Sequence, residues 1–203
     1  MKLGRTVMMG LMTSALLFAA QGGPKAEGHK GAKGKKGNGE ISQVVKIGNE
    51  TSQLLLKTLG GNLKKHMKAG GPADALKFCS GHARELTDEV NGKLQPGVSV
   101  KRITLKPRNP LNEAKGDERE VLQALETLNR NGVRLPRHLV QKTAEGYKFY
   151  KPLKIGKKVC LKCHGTDIDP KLDEQIRKSY RMDKARGYKM GDLRGAIVVE
   201  IKK

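Results

Sequence analysis

Two cysteines two residues apart, with a histidine directly after the second, occupy the segment Cys160-Leu161-Lys162-Cys163-His164, and they restrain this chain more than any other feature. Thiols at that spacing suit covalent attachment of one haem through two thioethers, with the adjacent imidazole on the iron. A fold that carries such a group must build around a bulky apolar plate. The composition agrees: hydrophobic residues make up 36% of the 203 residues, aromatics only 3%, and Trp is absent, so a macrocycle would supply bulk that the side chains lack.

Two other chemistries also begin with Cys-x-x-Cys. A zinc site would need Cys79 as a third thiolate and a histidine as the fourth ligand, and a second Cys-x-x-Cys or a His-x-x-x-His pair is missing. A thioredoxin-type dithiol sits early in a strand-to-helix unit. Here the pair follows Lys157-Lys158 in a segment read as a loop. Haem c is therefore the preferred reading, with Cys160 and Cys163 as thioether residues and His164 as an axial ligand.

The sixth iron ligand is less determined by the sequence. Candidates are Cys79, His82, His66, Met182 and Met190. Met182 and Met190 lie in a Lys/Arg-rich and Gly-rich stretch and read as loop side chains. Cys79 shares the apolar stripe of a helix with Leu76, Ala83 and Leu86, and His82 lies on nearly the same face. A lone buried cysteine is more often a small hydrophobe than a ligand, so the residue pattern leaves the choice open.

Along the chain, Met1-Lys2-Leu3-Gly4-Arg5 precedes an apolar stretch from Val7 to Ala20, so residues 1–22 read as a cleaved secretory signal. The stretch is shorter than the ~20 residues that span a bilayer, and no stable transmembrane segment is expected. Export, to a periplasm or otherwise, would bring the chain to the c-type haem maturation machinery. Residues 23–40 are Gly/Lys-rich and read as a flexible tether. Residues 41–203 then form the haem domain.

Within that domain the helical period runs over 41–68, Gly70-Gly71-Pro72 stops it, and a second helix spans 72–90. A strand follows over 98–105, with a parity slip between Val100 and Ile103 that suggests a bulge. A helix over 117–131, a strand or hairpin over 146–155, a short helix over 171–180 and a closing strand over 194–201 complete the order. In the last of these, Ile197, Val199 and Ile201 share one face. This is an α+β order with a mainly antiparallel sheet.

The formal net charge is +21. Export removes nucleic acid as a partner, and three Phe with four Tyr offer little base stacking. An anionic envelope surface or an acidic redox partner remains, beside the simpler reading of a solvated basic surface.

Five blocks now stand in order: Ala75-Leu-Lys-Phe-Cys79-Ser, Arg102-Ile-Thr104-Leu-Lys-Pro-Arg108-Asn109-Pro110-Leu-Asn112, Tyr150-Lys-Pro-Leu153, Cys160-Leu-Lys-Cys163-His164-Gly165, and Asp183 through Ala196. In these blocks, from about Ile41 to Ile201, the chain resembles the Tll-like c-type haem family, a former domain of unknown function. The resemblance implies a PAS-like antiparallel sheet with N-terminal helices and one covalent haem. It also implies His164 and Cys79 as the axial ligands, in preference to His82. Where many relatives carry an aromatic after Asn112, this chain has Asp117, while Glu118 matches. Arg108 and Asn109 carry donors suited to haem propionates, and the alternative is a turn between Pro107 and Pro110 that only redirects the chain. The function expected is a redox- or small-ligand-responsive sensor rather than an enzyme. The alternatives are a single-electron-transfer cytochrome and a peroxidase-like enzyme with an open distal site.

Overall fold

The structure, a computed structural model, describes residues 35–203. The expected signal at 1–22 and the tether residues 23–34 lie outside the described residues. The rest of the expected tether is helical: α1 spans Lys35–Gly81 and so begins inside it. Glu40 near its start pairs with Lys203 at 2.5 Å, which docks the first turns against the end of the chain.

The stop expected at Gly70-Gly71-Pro72 is a kink within α1. Gly70 (φ −142°, ψ 17°) and Gly71 (φ +68°, ψ −157°) leave the helical region, and the helix restarts at Pro72. Glycine reaches the positive φ without a Cβ clash, and proline lacks only an N–H that a first helical turn does not use. The restarted helix does not run to Val90. It breaks at His82, after which α2 covers Ala83–Gly92. Bonds from His82 N to Phe78 O (2.9 Å) and from Leu86 N to His82 O (3.0 Å) carry the chain across that break.

Then come β1 (Val98–Ile103), a 3-10 turn (Pro110–Asn112), α3 (Gly116–Arg130), β2 (Leu139–Thr143), β3 (Gly146–Lys154), α4 (Lys158–His164), α5 (Pro170–Ser179) and β4 (Leu193–Lys202). The four strands form one antiparallel sheet in the order β1-β4-β3-β2. The class is α+β, as expected. The bulge expected in the first strand is absent, because Val98 to Ile103 pair in unbroken register with Ile201 to Ala196. The parity slip has another cause: both faces of the sheet are covered. Val100, Phe149, Ile197 and Val199 pack with Leu55 of α1 and Val90 of α2, while Ile103, Tyr150, Ala196 and Val198 pack with Leu122 and Leu125 of α3. A strand buried on both faces loses its polar alternation.

On the α3 side the sheet carries charge. Glu118 lies 2.8 Å from Lys101 and 3.3 Å from Lys148, and Lys148 also reaches Asp117 at 2.9 Å. Asp117 thus faces an ammonium rather than an apolar pocket. Lys148 holds its carboxyl below the ordinary value. No helix among the described residues is long and apolar enough to cross a membrane.

Helix α1 lies on the sheet through a close approach at Gly48, where an added Cβ would enter the ring of the fully buried Phe149. Overpacking of this kind costs about 1–3 kcal/mol. Gly48→Ala is expected to lower stability by that amount in denaturant unfolding of the otherwise unchanged protein, and an unaltered midpoint would contradict the contact.

Candidate functional site

The attachment motif lies on a helix, not in the loop read from the sequence. Lys157 enters α4 with extended backbone, and the seven residues Lys158–His164 wind into it. Helical spacing sets Cys160, Cys163 and His164, at i, i+3 and i+4, along one side. Gly165 then ends the turn by donating its N–H to the Leu161 carbonyl (2.8 Å). A side chain at this position would meet that carbonyl at 2.6 Å, so the residue after the histidine must be glycine.

Both thiols of the motif are free and half-buried, and each borders a different apolar cluster. Cys160 packs beside Ile155, Ala185 and Tyr188. Cys163 packs beside Leu76 of α1 and Leu172 and Ile176 of α5. These surroundings suit the apolar edge of a macrocycle held at two points. Burial pushes the Cys163 thiol up from its ordinary value, with Arg108 opposing.

His164 lies between those clusters. Its Nδ1 is 2.9 Å from the Ala185 carbonyl, which can only accept, so Nδ1 carries the proton and Nε2 keeps its lone pair. That is the tautomer a metal ligand requires, oriented by a partner behind it. Burial, then the charges of Arg194 and Arg108, lower its pKa to about 3, against the opposing effect of the Ala185 bond. The imidazole is neutral at physiological pH. The loop behind it is bonded to the motif at two more points, Tyr188 N to His164 O and Gly187 N to Gly165 O, both 2.9 Å. The Tyr188 ring stands edge-on to the imidazole, centroids 6.2 Å apart at 89°.

Arg108 fastens this loop to α4. Its Nε donates to Asp183 Oδ1 (3.1 Å), and its Nη2 donates to Asp183 Oδ2 (3.2 Å), the Cys163 carbonyl (2.5 Å) and the Ala185 carbonyl (3.2 Å). Asp183 is 2% exposed and also accepts from Arg186 Nε at 2.8 Å. The Arg108 guanidinium is a strut between the end of α4 and the loop that orients His164. Asn109 has a local role as well, its Oδ1 accepting from Leu111 N (3.0 Å) to cap the 3-10 turn.

Cys79 is half-buried in the last turns of α1. Burial pushes its thiol up, while the charge of Arg102 opposes that and Cys163 and Arg108 act more weakly. The end of α1 and the attachment helix therefore lie within electrostatic reach of each other. Two residues beside Cys79 escaped the sequence reading. Arg102, alternating with Val98 and Val100 on the α1 side of β1, is a half-buried cation that forms no ion pair among the described residues. Its pKa is lowered by burial, and Cys79 and then Tyr180 oppose the shift. Tyr180 has its phenol pushed up to about 12, by burial and then by Cys79. A cation at a position whose parity points into the core was the available signal for Arg102.

The other candidate ligands are engaged elsewhere or exposed. His82 has a side chain 66% exposed and bonded to Glu85 at 3.0 Å. His66 reaches Asp74 at 2.8 Å and stacks on Phe78. Met182 and Met190 are exposed in the loop before β4. Among the described residues no three His, Cys, Asp or Glu side chains converge to hold a metal ion, so Cys79, Cys160 and Cys163 do not supply a three-thiolate zinc site.

The lowered pKa of His164 carries a sign. The folded chain resists a proton that the unfolded chain accepts below about 6.5, so this contribution to stability is full above that value and declines as pH falls toward about 3. In haem-free protein, the His164 ring resonances are expected to stay at their neutral positions from pH 7.5 to pH 5. An inflection near pH 6.5 would contradict the buried geometry.

Comparison with known proteins bears on the whole of this arrangement. Among solved structures, the crystal structure of the cyanobacterial heme-protein Tll0287 superposes with a TM-score of 0.56 at 24% identity, covering 81% of this chain and 96% of that one. At that identity the match speaks to the fold, and it agrees with the PAS-like α+β architecture expected above. No curated protein matches. The model of the Tll0287-like family matches residues 33–202, nearly the whole of what the structure describes, and the chain belongs to the Tll0287-like family.

Proposed function

We propose that this protein is an exported haem-binding protein, with one haem c held by Cys160, Cys163 and His164 and with Cys79 as the second axial ligand. It responds to redox state or to a small ligand. The observation that carries the proposal is the neutral imidazole of His164, pinned through Nδ1 to the Ala185 carbonyl on the same short helix as two half-buried free thiols. Membership of a family whose solved structural neighbour is described as a heme-protein supports it.

Bound haem would supply an iron that changes oxidation state and takes exchangeable ligands. The chain's own residues account for the rest. His164 offers Nε2, and the Arg108–Asp183 pair keeps its supporting loop in place. Cys79 brings a thiol whose pKa burial raises, with the Arg102 cation opposing that shift. A Cys79 thiolate would stabilise ferric iron and lower the potential of a bound haem, so reduction or a competing ligand would weaken the hold on Cys79. Cys79 lies between the kink at Gly70-Gly71 and the break at His82. Its release therefore moves a short helical segment and leaves the sheet-bound part of α1 in place. The protein binds and responds, and the proposal assigns it no catalytic residue.

The test is a set of oxidised and reduced absorption spectra of protein matured with haem, for the parent, Cys79→Ala and His82→Ala. Cys79→Ala is expected to lose the ferric thiolate signature and raise the potential, and His82→Ala to match the parent. Identical spectra for the parent and Cys79→Ala would remove Cys79 from the iron. Unchanged ligation of the parent in both oxidation states, with no uptake of carbon monoxide, would favour the single-electron carrier.

A further inference from the structure

We infer that the surface around the attachment helix is the docking face for an acidic electron-donor protein, an assignment that rests on the haem reading above. From Lys154 to Thr166 the chain contains four lysines and no acidic residue. The loop before β4 adds Lys184 and Lys189 to the same face, because its backbone is bonded to this segment at Tyr188 N to His164 O (2.9 Å), Ile155 N to Asp192 O (2.8 Å) and Gly191 N to Ile155 O (2.9 Å). Lys154, Lys157, Lys158, Lys162, Lys184 and Lys189 are all exposed, and none forms an ion pair among the described residues.

Both carboxylates of the loop are hydrogen-bonded, and neither forms an ion pair with these lysines. Asp183 is 2% exposed and held by Arg108 and Arg186. Asp192 accepts from the Lys189 backbone N–H at 2.7 Å. Three apolar side chains stand exposed among these cations: Val159 at 43%, Met182 at 64% and Met190 at 47%. A face whose exposed charges are of one sign and unpaired selects a partner of the opposite sign, and exposed Val and Met side chains add apolar area to such a contact.

The attachment residues Cys160 and His164 belong to the same helix, so a partner seated here comes close to the proposed cofactor. A redox-responsive protein needs a source of electrons. On docking, the donor gives up one electron and is oxidised, and the ferric protein is reduced by one electron.

The probe is a reduced plant-type [2Fe–2S] ferredoxin, a small acidic one-electron donor, mixed with the haem-loaded protein in stopped flow over a range of ionic strength. Two triple variants carry the same charge change: Lys157→Glu/Lys158→Glu/Lys189→Glu on the proposed face, and Lys57→Glu/Lys64→Glu/Lys65→Glu on α1 outside it. Neither set includes a residue placed on the haem. Electrostatic steering changes on-rates by roughly 10 to 1,000-fold. The first variant is expected to slow reduction at low salt by about tenfold or more and to flatten its salt dependence, and the second to change it by less than about twofold.

Equal slowing by both variants, or a rate in the parent that ignores salt, would overturn the assignment. So would binding to vesicles of anionic lipid that depends on the first set of lysines while ferredoxin reduction does not. If the protein has no reducible chromophore, the haem reading fails by itself, and ferredoxin affinity of the same three proteins by calorimetry still decides whether this face binds an acidic partner.

Discussion

The hydrogen bond from His164 Nδ1 to the Ala185 carbonyl sets the chemistry of the attachment helix, since it decides which nitrogen of the imidazole is free. Ala185 lies in a loop with little regular structure, and that loop needs restraint to hold the bond. Restraint comes from Arg108, which spans Asp183, the Ala185 carbonyl and the carbonyl of Cys163. Asp183 in turn accepts from the Ala185 backbone N–H at 2.8 Å. A buried carboxylate is tolerated when paired and hydrogen-bonded, and Asp183 meets that condition with bonds from Arg108, Arg186 and the Ala185 N–H.

The same logic separates the two charge populations of the molecule. Inside, burial and then the charges of Arg194 and Arg108 make a proton on His164 unfavourable, which leaves Nε2 with its lone pair. Outside, the exposed lysines around α4 form no ion pair among the described residues. The sheet is the frame for both. Its α3 face holds an apolar layer and the Glu118 ion pairs, whereas its α1 face holds a second apolar layer and, through Arg102, reaches the vicinity of Cys79.

Much of this was readable from the chain, for physical reasons that differ by element. The amphipathic helix of Leu122 and Leu125 and the closing strand of Ile197, Val199 and Ile201 declared themselves because each buries a continuous face. The strand Leu139–Thr143 did not, because it is short, half-exposed and rich in polar residues. The helix carrying Cys160 and Cys163 was hidden by its lysines, which suggest a loop when its contacts are unknown. Gly70-Gly71-Pro72 showed where α1 bends, but not that it continues. The motif itself announced Cys160, Cys163 and His164. Arg108 was noticed for its donors, yet its partner Asp183 is 75 residues away in sequence, and that separation made its structural role unreadable. Arg102 could be found only by asking which side of a doubly covered strand it faces.

The account stands or falls on a porphyrin joined to Cys160 and Cys163 by bonds that survive unfolding. Intact-protein mass spectrometry under denaturing conditions, on protein expressed together with c-type haem maturation factors, measures this directly. The account predicts a single species heavier than the processed polypeptide by the mass of one haem, and predicts that Cys160→Ala/Cys163→Ala lacks the added mass. A wild-type polypeptide of unmodified mass, colourless after the same maturation, would contradict it.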